Sequence, residues 1–233
     1  YVSQLLQARG MKTAIEAHRR AKPYCMGTLY WQFNDCWPVT SWSSLDYYGN
    51  WKAFHYQAKR SFENLLFSIE EGNDSYRICI VNDDLKQYSG ELVIDLIDFN
   101  GTKLWNKKII FIASENSSKI HFEIPKKDFL AFNLKQAVLS VSFPPLEQIY
   151  TRHYFFKPKD LQITKPNIQI KIINEVTIEI SSDVLAKDVF LSSENEVFFE
   201  DNYFDLLPNE KRIIKFSKPV QNIKVKSLFD TIK

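Results

Sequence analysis

Hydrophobic positions change their spacing along the chain near residue 65. Before that point they recur at helical intervals. Val2, Leu5 and Leu6 begin a stripe, and Met11, Ala14, Ile15 and His18 continue it at i, i+3, i+4 and i+7. This predicts a helix over 2–22, weakened or broken at Gly10 and stopped by Pro23. A second helix is predicted over 50–64, with Trp51, Phe54, His55, Ala58 and Phe62 on one face and Asn50 as its N-cap. Between them, Met26 to Phe33 is apolar without alternation, the pattern of a strand buried on both faces. A long loop follows over 34–48. Helix, strand, long loop and helix in this order are the rhythm of an α/β barrel.

After residue 65 the period becomes two. Tyr76/Ile78/Ile80, Leu92/Ile94/Leu96 and Ile120/Phe122/Ile124 alternate with polar residues, and Asn100-Gly101 marks a hairpin. With further strands at 103–112, 137–143 and 148–156, about seven strands fit an immunoglobulin-type sandwich. Lys126 to Phe132 has room for one helical turn. A polar link carrying Pro158 and Pro166 leads to a smaller set of strand cores at 168–172, 176–180, 197–199, 213–214 and 223–225. Below 80 residues, such a sandwich leans on a neighbour for stability. The expected fold is therefore mainly β. Residues 1–64 are the end of a (β/α)8 barrel, 65–157 an immunoglobulin-like sandwich, and 158–233 a smaller one.

Composition narrows the function classes. The chain has 233 residues, is 45% hydrophobic and 15% aromatic, and has a net charge of +2. That excludes a disordered tail and offers no electrostatic footprint for nucleic acid or an anionic membrane. No apolar stretch reaches spanning length. Three cysteines without a Cys/His cluster make neither a disulfide framework nor a zinc site, and no nucleotide or calcium motif is present. The chain opens at Tyr1 with neither an initiator Met nor a signal-peptide pattern, and reads as part of a longer one.

Four of the five tryptophans lie between positions 31 and 51. Loops after barrel strands build the active-site face. Aromatic rings there suit the C–H face of a pyranose, and Gln32, Asn34 and Asp35 suit its hydroxyls. The plainer alternative is that these tryptophans anchor the core or the loop.

The run Gly27-Thr-Leu-Tyr-Trp-Gln-Phe-Asn-Asp-Cys-Trp-Pro-Val39 resembles the last barrel strand of family 2 glycoside hydrolases. Its continuation, Ser41 to Tyr56, resembles the β-mannosidase branch of that family. Asp201-Asn-Tyr-Phe-Asp-Leu-Leu-Pro-Asn-Glu210 is similar to a signature of that branch's C-terminal immunoglobulin-like domain. The resemblance implies the C-terminal part of a retaining β-mannosidase that removes terminal β-D-mannose and needs no cofactor. Such chemistry uses two carboxylates about 5 Å apart. In the family both lie upstream of the segment matched here, so this piece alone is expected to be inactive. Localisation is open, with an extracytoplasmic setting implied by the family.

Residue by residue, the resemblance makes Trp31 the platform under the sugar. Asn34 and Trp37 line the same pocket. Asp35 either bonds a sugar hydroxyl or caps the loop. Trp42 and Trp51 are expected to be packing residues, as are His18 and His55. His121 falls on the polar side of its strand, and His153 is a strand residue. Glu16 is expected in surface ion pairs. The Asn-Glu dipeptides at 174–175, 195–196 and 209–210 read as turns. Cys36 carries no sign of activation. With the strand's usual neighbours upstream, the helices are expected to pack on the first sandwich and the exposed remnant to self-associate. Two other readings remain: a stand-alone carbohydrate-binding or structural sandwich module, and another family 2 exo-glycosidase such as a β-galactosidase.

Overall fold

A computed structural model describes every residue except Glu147, Asn195, Glu196, Gln221 and Lys233. The dipeptide at 195–196 thus lies outside the described residues. Two helices lead the chain, α1 (Val2–Arg20) and α2 (Ala53–Ser61). Gly10 does not interrupt α1, because tertiary packing of the helix outweighs the roughly 1 kcal/mol that one glycine costs. The buried face of α1 is not the purely apolar one. It consists of Ala8, Ile15, Glu16 and Arg19. Glu16 is buried rather than at the surface, pairing with Lys12 at 2.8 Å and accepting from the Ser68 hydroxyl at 2.7 Å. Arg19 donates to the carbonyl of Ser61 and to Asp83, which seats the helix on the strands that follow.

Asn50 is not the cap of α2. Its side chain is turned back to Asp46, and the free N–H of Ala53 instead donates to Gln4 Oε1 of α1 at 3.1 Å. Phe54, Ala58 and Ser61 are buried together with Ala53 and Tyr56, while Phe62 is exposed. The helix is covered on more than one side because it lies between α1 and the second sandwich. Tyr203 of that sandwich belongs to the same core as Ile15 and Phe54.

The first sandwich has two antiparallel sheets. One holds β1 (Leu65–Glu71), β2 (Ser75–Asn82) and β5 (Ser117–Pro125) in the order β1-β2-β5. The other holds β3 (Tyr88–Asp98), β4 (Lys103–Ala113), β6 (Ala137–Ser142) and β7 (Tyr150–His153) in the order β4-β3-β6-β7. Ile78, Ile80, Leu92, Ile94, Leu96, Phe111 and Leu139 fill the space between them. A register shift breaks the alternation expected in β5: Ile78 faces Phe122, but Cys79 faces Ile120. The extra residue is His121. Ile120 is consequently exposed, and the His121 ring meets buried Phe111, opposite to the polar placement expected from alternation.

The second sandwich stacks β8 (Ile168–Asn174), β9 (Thr177–Ser182) and β12 (Lys211–Lys215) on β10 (Ala186–Ser192), β11 (Phe204–Leu206) and β13 (Lys224–Lys226). Residues 197–199 form only a single bridge, Phe199 to Phe216, instead of the expected strand. β10 was not legible from periodicity, because Lys187 and Asp188 interrupt its apolar pattern. Lys187 is buried and Asp188 half-buried in an ionic cluster with Asp205. The link between sandwiches is also packed rather than free: Leu161 shares a small core with Phe99, Val138 and Leu185.

The expected strand over 26–33 is absent. The segment carries no regular secondary structure, no described segment forms a ladder with it, and only the isolated bridges Asn34–Leu45 and Leu45–Trp51 follow. Strand structure needs a hydrogen-bonded neighbour, and hydrophobicity cannot supply one. Met26, Leu29, Trp31 and Phe33 are left exposed, with Leu29 fully so.

Candidate functional site

The segment from Gln32 to Lys52 doubles back between the helices, tied by its own polar groups. The amide of Ser44 donates to the carbonyls of Gln32 and Phe33, and that of Leu45 to Phe33. The Trp31–Gln32 peptide bond is cis. Asp46 accepts from the amides of Tyr48 and Asn50, closing the turn at Gly49, which has φ +83°.

At the centre is Asp35. It is buried, and both its carboxylate oxygens are taken: Ser41 Oγ donates to Oδ1 at 2.5 Å, Ser43 Oγ to Oδ2 at 2.7 Å, and Lys52 Nζ to Oδ2 at 3.0 Å. Lys52 Nζ also reaches Ser43 Oγ at 2.6 Å. The Ser41 hydroxyl above all, then Ser43 and Lys52, hold the Asp35 carboxyl below the usual carboxylate range, against the effect of burial. Asn34 is half-buried and donates Nδ2 to the Asp35 carbonyl at 3.2 Å. A second tie runs through Ser44, whose hydroxyl donates to the Phe33 carbonyl at 2.8 Å and lies 2.9 Å from His55 Nδ1. Partial burial lowers the pKa of His55.

The tryptophans divide into two kinds. Trp31 and Trp37 are 80% and 64% exposed. Trp42, expected to pack, is exposed as well, and only its carbonyl is engaged, by Gln7 Nε2. Trp51 does pack, and its ring meets those of His55, Tyr56 and Phe198. His18 is exposed, with Nδ1 3.0 Å from Thr28 Oγ1, rather than packed. Hollows of about 470, 820 and 510 Å³ lie where the helices meet the sandwiches, and neither Trp31 nor Trp37 lines any of them. The candidate site is an open aromatic surface. Among the described residues, no group of three or more His, Cys, Asp or Glu is placed to hold a metal ion.

Ser41, Ser43, Ser44 and Lys52 were not singled out by sequence reasoning. The signal was present as hydroxyls six and eight residues after a lone aspartate, with a lysine closing the loop. Only the folded loop shows that all converge.

A family profile described as a mannosidase Ig/CBM-like domain matches residues 74–160, and one described as an Ig-fold domain of mannosidases matches 163–231. The crystal structure of a β-D-mannosidase from Dictyoglomus thermophilum superposes over 98% of this chain with a TM-score of 0.87 and 30% identity. The chain belongs to the β-mannosidase branch of the family 2 glycoside hydrolases. It corresponds to the C-terminal portion of that branch. Mouse β-mannosidase is 27% identical over 98% of the chain, and goat β-mannosidase 48% identical over 56% of it. The chain spans 29% of the length of the mouse relative and 29% of the Dictyoglomus chain. An exo-chitosanase from Amycolatopsis orientalis shares the fold, with a TM-score of 0.70 at 14% identity. In this β-mannosidase-type chain the two profile matches fall on the two sandwiches, and the aromatic loop precedes both.

Proposed function

We propose that this chain is part of an enzyme that hydrolyses terminal β-D-mannose residues with retention of configuration, and that its loop supplies the aromatic floor of the sugar site. The observation that carries this reading is the bare Trp31 ring beside a rigidly tied loop. A large apolar face held in water, with its backbone fixed, is an arrangement that costs stability and suits stacking on a pyranose. Trp37 and Asn34 border the same surface. Asp35 serves the site by shaping the loop.

The two carboxylates that retaining chemistry requires come from outside this chain. Within 32–52 the carboxylates are Asp35 and Asp46, and both are engaged. The exposed apolar residues Met26, Leu29 and Phe33 are covered by the rest of the barrel in the longer protein, which leaves the ring faces of Trp31 and Trp37 to the sugar. In the isolated chain they are open to a second copy, and sedimentation at rising concentration reads that association directly. On this reading residues 1–64 are a barrel end, and 65–157 and 158–233 are the two sandwiches that follow it.

The test is Trp31→Ala in the full-length protein, assayed on an aryl β-D-mannoside. A platform that follows the distorted sugar acts more strongly in the transition state than in the ground state. The expected loss in kcat/KM is on the order of 2–4 kcal/mol, with little change in Tm. Unaltered kinetics overturn the reading. Retention is checked by the anomer first released, seen by proton NMR.

A further inference from the structure

We propose that Lys52 and Asp35 form a positioning pair that sets the aromatic surface of the sugar site without touching the sugar. This rests on the reading of Trp31 as the platform. The pair is nearly dry, the Lys52 side chain being 12% exposed and that of Asp35 3%. Through its two serine partners it fixes the chain on both sides of Trp37 and Trp42, and on the C-terminal side of Trp31. Asp35 lies four residues after Trp31 and two before Trp37, while Ser41 and Ser43 flank Trp42.

Lys52 connects this knot to the helices. It occupies the N-cap position of α2, its amide donates to the Ser44 carbonyl at 3.0 Å, and its carbonyl accepts from His55 at 2.9 Å. The lysine thus joins the rigid start of a helix to a loop that has no sheet to rest on. Three of the roughly four acceptor sites of the Asp35 carboxylate are taken, and the side chain is almost wholly buried, so it is not presented to a sugar hydroxyl. Its bonds are spent on holding the loop. Exposed rings on an unladdered segment have few other contacts to set their direction. Small changes in the knot therefore become displacements of ring faces, and stacking is sensitive to displacement of about 1 Å.

A merely structural ion pair makes a different prediction. Removing one partner of a buried pair leaves an unpaired charge, and removing both relieves that cost. If the pair only stabilises the fold, activity returns together with stability in the double variant. If it positions the rings, stability returns and activity does not.

The experiment compares Lys52→Met, Asp35→Asn, their combination and Trp31→Ala in the full-length protein. Tm, kcat and KM on an aryl β-D-mannoside are measured, and calorimetric binding of a mannose-configured iminosugar. Lys52→Met is expected to lower kcat/KM about tenfold or more. The double variant is expected to recover most of the lost Tm while its kcat/KM and inhibitor affinity stay at least tenfold down. If Trp31→Ala is impaired but the double variant regains wild-type kinetics, the positioning role is overturned and the platform stands. If Trp31→Ala is unimpaired, the platform falls, and this proposal falls with it. Should either single variant fail to fold, the double variant still decides.

Discussion

Arg60, in the last turn of α2, places Nη1 2.6 Å from Oδ1 of Asp201, a residue 141 positions later at the edge of the second sandwich. The same guanidinium donates to the carbonyls of Asn202 and Tyr203. Around it, Tyr56 donates its phenol to the Phe199 carbonyl, Lys59 reaches the Glu200 carbonyl, and Arg212 holds the other oxygen of Asp201. The segment resembling a β-mannosidase signature, Asp201 to Glu210, is therefore a docking corner. It joins the C-terminal sandwich to the helix that follows the aromatic loop. Its far end meets the first sandwich, where Arg152 bonds the Asp205 carbonyl and Glu210. Burial opposes ionisation of Asp205, but Lys187, Arg152 and the Tyr154 hydroxyl overcome it and hold that carboxyl well below its usual range.

Replacing Arg60 with Met keeps the aliphatic stem but removes the guanidinium donor from two carbonyls and from Asp201 Oδ1, which retains only the Asn202 amide. The expected cost is about 1–3 kcal/mol, because the pair is only partly buried. Chemical denaturation monitored by Trp fluorescence measures it. Stability within 0.5 kcal/mol of the wild type, taken as roughly the surface-substitution range, would show that the corner holds without the Arg60 guanidinium.

The sequence carried the architecture wherever a pattern has a local cause. α1, α2 and six of the seven strands of the first sandwich follow from spacing and turn residues, β1 being the one not located, and the Asn100-Gly101 hairpin forms with Asp98 accepting from the amides of Asn100 and Thr102. What stayed hidden depends on partners far away in the chain. The strand at 26–33 lacks a ladder because pairing is not a property of one segment. β10 was obscured by Lys187 and Asp188, and the burial of Lys187 makes sense only beside Asp205. Ile120 and His121 exchanged sides through one inserted residue. At the candidate site, Trp31 and Trp37 were legible as aromatic excess in a loop. The closure of that loop by Ser41, Ser43 and Lys52 was not, because hydroxyls and lysine read as ordinary surface until the chain doubles back.

Gly90 and Gly101 mark two close approaches. A methyl group on Gly90 would lie 2.6 Å from the Phe143 ring, which is buried. One on Gly101 would lie 2.9 Å from Cβ of Pro208 in the other sandwich, at φ +98°. Gly90→Ala is expected to destabilise the first sandwich by about 1–3 kcal/mol, the usual range for overpacking. Gly101→Ala adds backbone strain and presses on the contact between sandwiches. Its effect should therefore appear in thermal unfolding as loss of cooperativity between the two sandwiches, and wild-type melting of Gly101→Ala would refute that contact.

The isolated chain is expected to show only background turnover of an aryl β-D-mannoside. Retaining hydrolysis needs an acid/base and a nucleophile held about 5 Å apart across the bond. The two carboxylates in the aromatic loop are committed to hydroxyls, a lysine and backbone amides. Activity that survives purification and disappears on mutating one Glu of this chain would contradict the assignment of the chemistry to other parts of the protein.

Acid should destabilise the first sandwich through His153. Its side chain is largely buried in β7, against the rings of Tyr76 at 5.4 Å and Phe155 at 5.2 Å, and its Nε2 has no hydrogen-bond partner. The charged groups facing it are Glu71, with Oε2 3.7 Å from Nε2, and Lys12 and Lys126. Burial brings the imidazole pKa down to about 4; Glu71 pulls it upward, and the two lysines add to the depression. The unfolded chain takes up this proton near pH 6.5, whereas the folded chain resists it until about 4. Between those values the unfolded state binds more protons, so stability rises with pH. The full contribution is present above pH 6.5 and is lost as pH falls toward 4, by an amount on the order of 3 kcal/mol. His55 and His121 are shifted in the same direction by burial, so the slope has to be isolated by difference. His153→Phe removes the titration while keeping an aromatic ring among Tyr76 and Phe155. Denaturant unfolding from pH 7 to pH 4.5 is expected to fall more gently for this variant than for the wild type, with the two curves diverging below pH 6.5. Parallel curves across that range would mean that the folded protein accommodates the imidazolium, with Glu71 compensating for burial.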